Sequence, residues 1–223
     1  MITTKEREIW AAVQEHLTAV YGPPEQWPAQ NPAWPLPTGL ARGSDPHLAY
    51  LTLVYAMSGG RKPRPLWKAA QQTWTADPQL FDPFYLAHAQ PFALLPRLTL
   101  YGLLQKPKTE ATVWQRIGQA LVMRAQGSVQ QLLADYDYQA GRLLAMLTQS
   151  KATFPVLSGP QTAPRWLYGL VSVGGQPIEG AAELPVPVSP AVARVLHSFS
   201  IAAEVVPAGL FDVLAELDTD GRD

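Results

Sequence analysis

Two stretches of this chain carry residue types whose spacing could engage a phosphate. Arg61-Lys62-Pro63-Arg64, followed by Trp67-Lys68, is the densest run of cations. At a helix entry it would hold phosphate oxygens without reading base sequence, with an affinity that weakens as salt rises. The alternative is a solvated turn. The second stretch is Phe154-Pro155-Val156-Leu157-Ser158-Gly159-Pro160-Gln161-Thr162-Ala163. Apolar residues at helical spacing precede it (Gln139 to Leu147) and follow it (Trp166, Leu167, Leu170, Val171), and its Pro, Ser and Gly content predicts a tight hairpin. Ser158 and Gly159 suit the turn and a close backbone approach. The N–H groups near Gln161 and Thr162, opening the second helix, can face a phosphate, although Pro160 removes one donor. The alternative is a structural αα-hairpin with no ligand.

Other chemistry is largely excluded by composition. The chain has no cysteine, which rules out disulfides, zinc–thiolate sites and thiolate-held iron–sulfur clusters. His16, His47, His88 and His197 are scattered without metal-ligand spacing, so neither a metal nor a cofactor is expected. No serine-histidine-acid set, P-loop or dinucleotide fingerprint is present. The net charge is only −1, but it is segregated: residues 61–130 carry nine Lys/Arg against three Asp/Glu, and residues 201–223 carry one Arg against six acids. A basic middle and an acidic tail make a polarised surface able to steer a phosphate chain.

The elements that must position these residues are helical. With 223 residues, 47% apolar and 16% charged, the chain can bury a substantial core. No run of eighteen apolar residues exists and the N-terminus lacks an apolar secretory core, so a cytoplasmic protein with no membrane contact is expected. A first helix through Ile9, Trp10, Val13, Leu17 and Val20 leads into residues 22–46, where seven prolines predict an extended arm. Asp45-Pro46 reads as a cap followed by a first-turn proline, opening a nearly all-apolar helix through Met57. Ser58-Gly59-Gly60 stops it. A helix through Leu66, Trp67, Ala70 and Trp74 follows, then short proline-punctuated helices at Asp82–Ala89 and Phe92–Leu104. Thr109–Ala125 is strongly amphipathic, and Ser128 caps a short successor. The hairpin's helices are expected at Tyr138–Thr148 and Thr162–Val173. Later helices begin at Ser189-Pro190 and near Pro207. No strand alternation persists, so the class is all-α. Trp10, Trp67, Trp74, Trp114 and Trp166 fall at helical spacing and are expected in the core.

The hairpin resembles the helix-hairpin-helix element of the DNA glycosylase superfamily, which includes endonuclease III-like and alkyl-purine glycosylases. Phe154–Ala163 is similar to that family's Leu-Pro-Gly-Val-Gly-x-Lys-Thr-Ala signature, with Pro155, Gly159, Thr162 and Ala163 matching and Val156 standing where the family has its first Gly. Val186–Val195 is similar to its Val-Asp-Thr-His-Val-x-Arg-Val segment at Val188, Val192, Arg194 and Val195. The resemblance implies a two-lobed all-α fold with the hairpin at the cleft between lobes. Residues 1–45 would form an N-terminal helix and arm, 46–150 a central bundle, and 151–223 the hairpin's second helix with C-terminal helices packed on the N-terminal one. It implies duplex DNA as the partner, held through Ser158, Gly159, Gln161, Thr162, Arg61, Lys62 and Arg64, and base-excision repair as the function.

Both catalytic positions of the family are changed. Gln161 stands where bifunctional members have their imine-forming Lys, and a neutral amide cannot attack a sugar carbon. Ser189 stands where the family has the Asp that stabilises the cationic sugar, and a hydroxyl carries no charge to offset it. Ser189 still serves as an N-cap, since Ser and Asp cap equally well. A monofunctional glycosylase would need a substitute carboxylate, for which Asp135, Asp137, Glu179 and Glu183 are candidates; Lys151 is the nearest amine. The alternatives are a catalytically inactive DNA-binding relative and a helical protein-interaction module.

Overall fold

Ser44 sets the start of the most buried helix. Its backbone is extended, and its hydroxyl oxygen accepts from the His47 N–H at the head of α1 (Asp45–Ala56). Every residue from His47 to Ala56 is buried, which accounts for the nearly unbroken apolar sequence of this helix. The structure, a computed structural model, describes residues 36–59 and 61–184 together with Glu15. Contacts divide the chain into two units, Pro32–Ala181 and one joining Met1–Asn31 with Ala182–Asp223; nearly all described residues belong to the first.

After α1 come α2 (Pro63–Ala76), a 3-10 turn at Pro78–Phe81, α3 (Pro83–His88), α4 (Pro91–Thr99), α5 (Pro107–Ala125), α6 (Val129–Asp135), α7 (Ala140–Gln149) and α8 (Thr162–Ser172). The first unit is thus all-α among the described residues, with one isolated bridge between Gln139 and Glu179 and no strand. Prolines sit in the first turns of α1 to α5, where the missing N–H leaves no helical bond unmade. Ser128 caps α6 as expected, accepting from the Gln131 N–H. The cap at α1 differs from the sequence reading. Ser44 takes that role, and the Asp45 carboxylate accepts instead from the Ser128 hydroxyl (2.7 Å) and the Gln130 N–H (3.0 Å), joining the starts of α1 and α6.

Helix α1 packs against α2, α5, α6 and α8, and α5 lies along α3 and α4. The buried tryptophans find acceptors: Trp166 Nε1 donates to Thr52 Oγ1 at 2.9 Å, and Trp114 Nε1 to the Leu80 carbonyl at 2.6 Å. Tyr50, Trp67, Trp74 and Phe81 stack edge-on and tilted beneath α1. Trp67, Trp114 and Trp166 are core residues as expected, Trp74 is half-buried, and Trp10 lies outside the described residues.

The turn before α1 locks the end of α8. Arg42 donates from Nε to the Val173 carbonyl and from a terminal nitrogen to the Ser172 carbonyl, both at 2.9 Å, so a cation closes a helix C-terminus. The Gly43 N–H donates to His47 Nδ1 at 3.0 Å, which requires that nitrogen to be unprotonated. Burial brings the His47 pKa down to about 4, and the Arg42 charge adds to the effect. The unfolded chain takes up this proton near pH 6.5, whereas the folded protein resists it until about pH 4. Stability is therefore fully present above pH 6.5 and is lost as pH falls through that window. Urea midpoints at pH 7 and pH 4.5 should show a steeper acid loss in the wild type than in a His47→Phe variant.

Candidate nucleic-acid interface

The hairpin between α7 and α8 occupies residues 150–161, longer than a tight turn, because the chain makes further turns before the signature begins. The Phe154 N–H donates to the Ser150 carbonyl and the Ser158 N–H to the Phe154 carbonyl, both at 3.0 Å. Phe154 and Leu157 are fully buried and anchor the turn. Between them Val156 is 40% exposed and has φ +67°. The backbone at Val156 thus takes a conformation that favours glycine, although the residue is not glycine. At Gly159 a Cβ would lie 3.0 Å from the Val156 carbonyl oxygen, which accepts the Gly159 N–H at 2.9 Å. That closeness accounts for glycine there.

The candidate phosphate contacts separate into two groups. Ser158 and Thr162 are buried, while Gly159 is half-buried and Pro160 and Gln161 face outward. The N–H groups of Leu157, Ser158 and Gly159 are all spent on carbonyls within the turn, and Pro160 has none. Gln161 is the N-cap of α8, without a side-chain capping bond. From Leu157 to Pro160 the hairpin therefore presents no unengaged donor, and its outward residues are Pro160 and Gln161.

The cationic loop also divides. Lys62 and Arg64 are exposed at the start of α2, where Lys62 is the N-cap without a side-chain capping bond. Arg61 turns inward: its guanidinium donates to the Leu103 carbonyl at 2.5 Å and the Gly102 carbonyl at 3.1 Å. Burial lowers its pKa, with the Glu110 charge acting in the opposite direction. Arg61 thus ties the loop after α1 to the loop after α4, and sequence reasoning, which grouped it with Lys62 and Arg64, gave no sign of this. Beside the carbonyls it holds stand Leu100 and Tyr101, 70% and 38% exposed. The signal for these two was present: residues 83–109 contain no acid and carry Arg97, Lys106 and Lys108. Arg97 is engaged with Asp77 and Tyr85, leaving Lys106 and Lys108 as the exposed cations of that stretch.

The hairpin and the loop at the end of α1, far apart in sequence, approach each other. A Cβ built on Gly59 would lie 3.9 Å from Val156 Cγ1, so the chain at Gly59, two residues before Arg61 in sequence, lies beside the hairpin turn. The candidate carboxylates are occupied elsewhere. Asp135 accepts from Gln131, Asp137 pairs with Arg142, and Glu179 accepts from Gln139 at 2.6 Å. Glu183 and Lys151 are exposed. Ser189, with the second family-like segment around it, lies outside the described residues. Among the described residues no group of three His, Asp or Glu could hold a metal, and no helix is long and apolar enough to cross a membrane. No family model, curated protein or solved structure matches this chain.

Proposed function

We propose that this chain binds duplex DNA through the exposed Lys62 and Arg64 and the hairpin at Gly159–Gln161. The reading follows the resemblance to helix-hairpin-helix DNA glycosylases, including a two-lobed form with the hairpin at the cleft. What supports it most is the approach of Val156 to Gly59, which brings the hairpin turn near the end of the helix that precedes the cationic segment. Exposed Leu100 and Tyr101, next in sequence to the Gly102 and Leu103 carbonyls that hold Arg61, supply the apolar contacts that a groove accepts. Damaged bases are the proposed target, with any excision proceeding without an imine, because Gln161 has no nucleophilic amine.

Fluorescence anisotropy with a duplex containing an abasic-site analogue tests the reading. Binding at low salt that weakens steeply as salt rises is expected, with no adduct trapped by borohydride; alkali-revealed strand breaks at an alkylated base would report excision. Flat, negligible binding at low salt would overturn the DNA reading. A protein-interaction module is the second reading. It is favoured by Phe92, Met123 and Leu100, each at least 70% exposed.

A further inference from the structure

We infer that Val156 is itself a DNA-contact residue, an apolar prong that the hairpin holds outward in a strained conformation. The inference rests on the duplex-binding reading above. Six glycines among the described residues take a positive φ, at positions 39, 43, 102, 127, 175 and 180. Gln126, Asp137, Tyr138 and Val156 do so without being glycine, and Val156 alone of these is β-branched. A β-branched side chain in the left-handed region crowds its own backbone, so this conformation is disfavoured wherever nothing offsets it.

Full burial of its own side chain does not offset it here. The side chain is 40% exposed while Phe154 and Leu157 on either side carry the packing. Strain that the core does not explain gathers at positions kept for what they touch. The surroundings name the ligand. Val156 stands between Gly59, which precedes Lys62 and Arg64 in sequence, and the outward Pro160 and Gln161. With the Leu157, Ser158 and Gly159 N–H groups bonded within the turn, the cations hold phosphate oxygens and the isopropyl group meets the sugar and base edges between them. At this turn, apolar contact takes the place of a backbone grip on phosphate.

Val156→Gly and Val156→Asn test this, since both residues adopt the left-handed backbone readily. Each variant is titrated with the abasic-analogue duplex at several salt concentrations, and its urea midpoint is measured. Affinity about fivefold weaker at every salt is expected, with an unchanged slope of log affinity on log salt, because the same phosphates stay neutralised. The urea midpoint of the Asn variant should equal or exceed that of the wild type. Wild-type affinity in both variants would overturn the prong while leaving the duplex-binding reading intact, as would a lowered midpoint of the Asn variant, which would assign Val156 to the fold. Failure of the wild type to bind at low salt would overturn both.

Discussion

Gly169→Ala is expected to destabilise the protein by about 3 kcal/mol or more, because the added methyl group would collide with a packed aromatic ring. Helix α8 meets α1 at this residue. A Cβ there would lie 2.2 Å from the Tyr55 hydroxyl oxygen and 2.4 Å from two of its ring carbons. Tyr55 cannot readily withdraw: it is 3% exposed and packs edge-on against Trp67, with ring centroids 5.6 Å apart. Alanine gains about 1 kcal/mol of helix propensity over glycine, so a net loss has to come from the collision. The urea or thermal midpoint of Gly169→Ala measures it. Adding Tyr55→Leu should recover part of the loss, because the ring is the obstacle. A single variant as stable as the wild type would mean that the two helices do not approach so closely.

The double reversal Lys62→Glu, Arg64→Glu is expected to weaken duplex binding by about two orders of magnitude at low salt. The slope of log affinity on log salt should become shallower by about two, one for each phosphate that is no longer neutralised. The folded state should keep its stability, since both side chains are exposed and new carboxylates would stand at the N-terminus of α2, where the helix dipole favours them. Anisotropy titrations across salt, beside a urea melt of the same protein, separate the two effects. An unchanged slope would move the DNA-binding surface away from this loop.

Helix identity and most helix ends were legible because they rest on local chemistry: proline in first turns, Ser128 at a cap, and apolar residues at three- and four-residue steps through α5 and α8. Thr162–Ser172 lies within a residue of its expected end. Small errors arose where two residues compete for one role. Ser44 and Asp45 are both good caps, and the choice between them was made by Ser128 and Gln130, far away in sequence. The site was less legible for the same reason. Nothing local distinguishes Arg61, which turns to the Gly102 and Leu103 carbonyls, from Lys62, which stays exposed. Composition could not show that Val156 would take a left-handed backbone, because nothing local marks the point where the chain turns between the buried Phe154 and Leu157.

The inward turn of Arg61 has a practical corollary. A guanidinium bridging two carbonyls works as a strut, and an ammonium, with no planar fork, cannot span the same pair. Any scan that counts the loop's cations by the damage their removal does will therefore overstate the charge at position 61. Part of what it records there will be misshapen scaffolding, felt as far as Leu100 and Tyr101.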